Sequence, residues 1–273
     1  MSQWREIPGN PHAFNELEAL LASGDAIAFV GAGASAGLYP LWGGLIEALS
    51  DAAIERGLAD AAFKSVWCQQ MDALQAARQI RKRLGDGPFA EEIRRIFRPA
   101  TGAGDERFTA VHAALMRLGF GAFVTTNYDR CLTFACEHQR RSIRELDWRD
   151  PGVARWLQGS ATGSATDDGN ELQILHAHGR YDDPSSLVLD IDDYRRAYGD
   201  APRYRRLFEQ LWIRERLVIV GFSLGDPWLR VLADLALSQA GAREHTDRRH
   251  IALIGLPGDE LPAVELRREE IED

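Results

Sequence analysis

The sequence predicts an α/β fold, a mostly parallel sheet covered by helices on both faces and carrying a helical insertion. Three observations lead there. Short apolar runs recur along the chain, as strands buried on both faces require. Segments with helical spacing separate them. Several runs end alike, with small or polar residues directly after the last apolar position, which is where open parallel sheets bind ligands. At 273 residues the chain is near the upper size for one hydrophobic core. Residues 1–273 therefore read as a single domain, with the insertion over 46–110.

The elements follow in order. Residues 11–22 place Phe14, Leu17, Leu20 and Leu21 at helical spacing. Ala26–Val30 is an apolar strand between Asp25 and Gly31. Residues 45–54 read as a helix, and 61–98 are dominated by charge and helix formers, broken at Gly85-Asp86-Gly87-Pro88. Residues 108–118 form a helix with Val111, Leu115 and Leu118 on one face, followed by the strand Ala122–Thr125. Residues 158–170, rich in Gly, Ser, Thr and Asp, are expected to be a mobile loop. A strand over 172–175, a helix over 192–212, a strand over 217–220, a helix over 228–237 and a last strand over 250–254 complete the alternation. Residues 258–271 read as a short closing helix.

Charge and cysteine content exclude several function classes. Lys and Arg number 32 against 41 Asp and Glu, a net charge of −9, the wrong sign for a stand-alone binder of a phosphate backbone. Cys68, Cys131 and Cys136 cannot form a disulfide framework, and without a CxxC pair there is no four-cysteine zinc site. The N-terminus lacks a signal-peptide core. The uncharged stretch over 26–45 has membrane-spanning length, but its glycines and Pro40 suit a buried strand running into a loop. A soluble, cytoplasmic chain is expected.

Four motifs carry the chemistry. Gly31-Ala32-Gly33-Ala34-Ser35-Ala36-Gly37 follows the first strand, and glycines there let backbone N–H groups approach a pyrophosphate. The third glycine falls one place later than in the GxGxxG fingerprint, and a tight turn packed on the sheet explains the loop equally well. Thr125-Thr126-Asn127-Tyr128-Asp129 offers an amide to orient a water or carboxamide, or a cap for the next helix. His178, after a strand and before Gly179, suits general-base work on a ribose hydroxyl or water. His176, two residues away, raises a metal reading, but it reads first as a packed structural histidine. Gly221-Phe222-Ser223-Leu224-Gly225-Asp226-Pro227 adds a small-residue loop, a hydroxyl, and Asp226 as a helix cap before Pro227.

Taken together, GAGASAG, TTNYD, HAHG and GFSLGDP resemble the sirtuin-like superfamily, specifically its prokaryotic branch associated with antiviral defence. The resemblance runs from Phe29 to Asp273. Pro40-Leu41-Trp42, Asp182-Asp183-Pro184 and Asp193-Tyr194 also resemble that branch. It implies a Rossmann-like NAD site. Gly31, Ala32, Gly33 and Ser35 would hold the pyrophosphate, and Asn127 and Asp129 would engage the nicotinamide end and a water. His178 would be catalytic beside Asn127, and Gly221 and Ser223 would contact the adenosine half. The four-cysteine zinc module of the deacylases and their Asp-Phe-Arg loop are absent, which turns the expectation away from acyl-lysine.

The resemblance thus implies an NAD hydrolase that releases nicotinamide and ADP-ribose, with NAD as substrate and no zinc, acting as a toxic effector in antiphage or anti-plasmid defence. A non-catalytic NAD or ADP-ribose sensor is one alternative, and a zinc-free deacylase or ADP-ribosyltransferase another. The ending at Glu265 to Asp273 suggests part of a longer chain or complex. A homo-oligomer or a sensor partner of Argonaute or nucleotide-sensing type is expected, with no direct nucleic-acid or membrane contact.

Overall fold

A computed structural model describes residues 9–69, 72–99, 106–153, 171–222 and 250–253. Six strands form one all-parallel, Rossmann-like sheet: β1 Ala26–Val30, β2 Ala122–Thr125, β3 Ser142–Asp147, β4 Glu171–His176, β5 Arg216–Val220 and β6 Ile251–Leu253. Their spatial order is β3-β4-β2-β1-β5-β6. From β1 the chain adds β2, places β3 at the edge and fills the gap with β4, then crosses to β5 on the other side, so the direction reverses beside β1.

The helices are α1 Asn10–Ser23, α2 Trp42–Glu55, α3 Ala61–Gln69, α4 Ala73–Leu84, α5 Asp86–Phe97, α6 Ala110–Leu115, α7 Cys131–His138, α8 Ile191–Tyr194 and α9 Pro202–Arg214. None of the described helices is long and apolar enough to cross a membrane. Alternation along β1 divides the core. Ala26, Ala28 and Val30 pack with Leu17 and Leu20 of α1, Leu115 of α6 and Leu132 of α7. Ile27 and Phe29 face Tyr194 of α8 and Tyr204, Leu207, Phe208 and Leu211 of α9. A separate apolar cluster joins α2, α4 and α5 through Leu45, Leu49, Ile80, Ile93 and Phe97. It reaches Tyr128, Leu187 and Leu189, which places this helical layer over the strand ends.

Three elements differ from the expectations. β3, unforeseen, is an edge strand with the sequence SIRELD, only one residue of which is buried. The helix expected over 192–212 is interrupted: α8 runs into a π-helical turn, Arg195–Asp200, and α9 restarts at Pro202. Proline lacks the N–H that a continuous helix needs and disfavours helical geometry in the residue before it. The helix expected over 108–118 is shorter, Ala110–Leu115. The loop expected over 158–170, the helices over 228–237 and 258–271, and the Asp226 cap lie outside the described residues.

Candidate active site

A cavity of about 760 Å³ opens beyond the carboxyl ends of the strands, within the range of small-molecule sites. Ala32, Gly33 and Ser35 line it from the loop after β1, Thr126 to Asp129 from that after β2, His178 from that after β4, and Gly221 and Phe222 from that after β5. The helical layer contributes Trp42, Leu45, Leu74 and Phe97. Of the site residues expected from sequence, Ala32, Gly33, Ser35, Asn127, Asp129, His178 and Gly221 therefore share one cavity. Gly31 is not among the lining residues, although its O accepts from Asn127 Nδ2, and Ser223 is outside the described residues.

The glycines of the first loop have an internal reason. Gly31 N donates to Val220 O at 2.9 Å, and Gly33 N to Gly221 O at 2.7 Å. A Cβ on Gly31 would sit 2.6 Å from Gly221 O, and one on Gly33 2.9 Å from the same atom. Gly221 itself has φ +65°, and its Cβ would fall 2.3 Å from Ala34 N. The loops after β1 and β5 are thus interlocked main chain to main chain. The amides of Gly31 and Gly33 already have acceptors in this interlock.

Asn127 is buried and anchored through its amide nitrogen. Its Nδ2 donates to Gly31 O at 3.1 Å and to Ser35 Oγ at 3.2 Å. Its backbone N–H donates to Thr125 Oγ1. Its Oδ1 is buried and has no partner among the described residues. Asp129 sits one residue ahead of the N-cap position of α7, which is Arg130, and its Oδ1 accepts from Cys131 N at 2.9 Å.

His178 is buried, with Nε2 2.9 Å from Tyr198 Oη. The next residue, Gly179, has φ +80°, and a Cβ there would overlap Ser186 O at 2.3 Å. Val188 N donates to His178 O, and Tyr128 Oη to Val188 O, so neighbouring loops fix the histidine's backbone. His176 faces the other way: its Nε2 is 3.0 Å from Glu145 Oε1 on β3. Burial pushes Glu145 up, but hydrogen bonds from His176, Arg130 and Thr133 outweigh it and hold the carboxyl below the ordinary range.

No Lys or Arg occurs among the described lining residues, while Asp72 and Asp129 do. Burial, with Cys131 and Asp129 next, pushes the lining Tyr39 hydroxyl up, so it stays neutral. Among the described residues, one group has metal-ligand chemistry: His112, Asp129 and Cys131, all buried, with ligand atoms within 4.8 Å of one another. Burial, and then Asp129, raises the Cys131 thiol, so it is protonated at neutral pH. His112 Nδ1 is 2.9 Å from Thr109 Oγ1. This set is distinct from the four-cysteine module that the sequence lacks. The aromatic lining, Tyr39, Trp42, Phe97, Tyr128 and Tyr194, escaped sequence reasoning as a site, although Trp42 and Tyr194 fall in short runs that resemble the defence branch.

A family model for the SIR2-like domain matches residues 121–272, more than half of the chain. The chain belongs to the SIR2-like domain family. The match begins at β2, so the glycine loop after β1 lies ahead of it, and the fold brings that loop to the cavity of the SIR2-like segment. Among curated proteins, NAD(+) hydrolase ThsA of Bacillus cereus (strain MSX-D12) is 29% identical over 147 residues, 54% of this chain and 28% of that protein. NAD(+) hydrolase ThsA of Enterococcus faecium is 31% identical over 127 residues, 45% of this chain and 24% of that protein. The matched stretch covers about a quarter of the length of these relatives.

Proposed function

We propose that this SIR2-like chain hydrolyses NAD at the bond between nicotinamide and ribose. The observation that carries the reading is Asn127, a buried carboxamide of the cavity lining whose Nδ2 is anchored and whose Oδ1 has no partner among the described residues. A buried polar atom without a partner is costly unless a ligand or water completes it. The two ThsA relatives, NAD(+) hydrolases by name, support the choice of substrate.

The reaction is NAD⁺ plus water giving ADP-ribose, nicotinamide and a proton. The C1′–N bond breaks with its electron pair leaving on nicotinamide, which departs neutral from an oxocarbenium-like ribose. The enzyme has to hold the nicotinamide twisted, stabilise the cation and admit water. Asn127 Oδ1 accepts from the attacking water, and His178 takes a proton from water or a ribose hydroxyl. Asp129 accepts from the carboxamide NH₂ of nicotinamide while also bonding Cys131 N–H. Ala32, Gly33 and Ser35 give the pyrophosphate close backbone approach. With no described cation in the lining, main-chain N–H groups and water meet its charge. Ser223 is assigned to the adenosine half with Gly221.

Destroying NAD kills the cell, so we place the chain as an effector in defence against phage or plasmids, held inactive until a sensor partner or self-association activates it. The test is nicotinamide release by wild type, Asn127→Ala and His178→Ala, with and without an acetylated peptide. Each variant is expected to lose at least about 100-fold in kcat. Undiminished turnover in either variant overturns the roles, and peptide-dependent transfer of acetyl to ADP-ribose overturns hydrolysis in favour of deacylation.

A further inference from the structure

Tyr198 lies in the π-helical turn after α8, outside the motifs that mark the cavity. Its hydroxyl is 2.9 Å from His178 Nε2, and each of the two residues is only 3% exposed. Tyr194 packs edge-on against the imidazole, with centroids 5.2 Å apart, and stacks on Tyr198 at an interplanar angle of 19°. Tyr204, from α9, brings its hydroxyl within 3.4 Å of that of Tyr198 and donates to Ala177 O at 2.7 Å, one residue before His178. Three tyrosines from consecutive helical segments thus enclose one histidine.

Packing alone would be served by phenylalanine, which adds no buried hydroxyl to satisfy. The hydroxyl of Tyr198 instead meets a ring nitrogen. In a histidine that moves protons, the group bonded to one nitrogen decides which nitrogen carries the proton and how the ring is turned. The interrupted helix also has a consequence here. A π-helical turn is a rare local geometry associated with functional sites, and in this chain it carries the residue that touches His178.

We propose that Tyr198 is a positioning residue for His178, fixing the imidazole's tautomer and orientation through Nε2. The proposal rests on His178 acting in NAD hydrolysis. Tyr198→Phe removes the hydroxyl and keeps the ring. In the full chain, kcat for NAD is expected to fall about 10- to 100-fold with KM within about threefold, less than the loss of the base itself. The acidic limb of the kcat pH profile should shift, because the variant's imidazole titrates without its hydroxyl partner. ADP-ribose affinity and the melting curve control for folding. If Tyr198→Phe unfolds, nitrogen-15 NMR of wild-type His178 decides instead: one tautomer should persist across the neutral range, and averaging between two overturns the proposal. Wild-type kcat and pH profile in Tyr198→Phe also overturn it, as does a loss confined to KM. If His178→Ala turns over NAD normally, it is the hydrolase reading that fails, whatever Tyr198→Phe does.

Discussion

Replacing Gly221 by alanine tests whether the interlock between the loops after β1 and β5 holds the cavity floor. Two costs add. Gly221 has φ +65°, and an alanine held in that left-handed region costs about 1–2 kcal/mol. Its Cβ would also lie 2.3 Å from Ala34 N and 2.9 Å from Gly33 C. Both are backbone atoms, so no side chain can rotate away, and forced overpacking of this kind costs about 1–3 kcal/mol. Together the loss is about 2–5 kcal/mol, equivalent to a drop in Tm of about 5–15 °C for a chain of this size. Gly37 separates the two costs: its φ is +90°, yet a methyl group added there would meet nothing within 4 Å. Gly37→Ala should therefore show the backbone cost alone, about 1–2 kcal/mol. Thermal and urea melts of both variants measure the difference. If Gly221→Ala is no less stable than Gly37→Ala, the interlock is not what these glycines are for, and a phosphate cradle regains that role.

Two further predictions concern charge. Glu145 is held below its ordinary range in the folded chain, so its contribution is present above the unfolded value and is lost as pH falls through the folded one. Glu145→Gln should cost about 2 kcal/mol at neutral pH, part of the penalty for stranding buried charge, and should flatten the acid limb of stability measured by urea melts from pH 7 down to pH 3. A variant with an unchanged acid limb counts against the pairing. Arg81 of α4 bonds Asp86, Asp190 and Asp193, the last two buried at α8. Arg81→Ala should lower stability by about 1–3 kcal/mol and reduce kcat by loosening the segment that carries Tyr194 and Tyr198. A variant that melts earlier but keeps full kcat refutes the link between α4 and the site.

Each apolar run of the sheet could be read from the sequence, because buried parallel strands carry their signal locally. β3 could not, since Ser142, Arg144 and Asp147 make an edge strand look like loop, and only Ile143 and Leu146 hint at burial. Yet β3 supplies Glu145, the partner of His176. The first glycine loop illustrates a second limit. Its position after a strand was legible, but its cause was not, because the atoms that demand Gly31 and Gly33 belong to Gly221 and Phe222, far downstream in the chain. Asp129 could be read as a cap or as a ligand-facing carboxylate; the N-cap of α7 is Arg130 instead, and Asp129 bonds Cys131 N–H from one residue ahead while lining the cavity. Pro202 was present in the sequence as a helix breaker, and the uninterrupted helical pattern on either side hid it.

Position along the chain also explains why the chemistry is divided as it is. Asn127 follows β2 directly and is clamped by the glycine loop of β1, two neighbouring strands at the centre of the sheet. Such a group is as rigid as the sheet itself, which suits orienting a water. His178 depends on more: on Gly179 packing against Ser186, on Val188, and on Tyr198 in a turn outside the sheet. That turn is joined through α8 to Arg78 and Arg81 of the helical layer. His178 is therefore coupled through Tyr198 and α8 to the layer that roofs the cavity, whereas Asn127 meets that layer through its neighbour Tyr128, which packs on Phe97. On the proposed roles, a shift of that layer carried by α8 would displace the proton-moving group while the glycine loop still clamps Asn127. If the chain is the NAD hydrolase proposed above, control through the histidine is the simpler arrangement, because binding and fold survive in the inactive state.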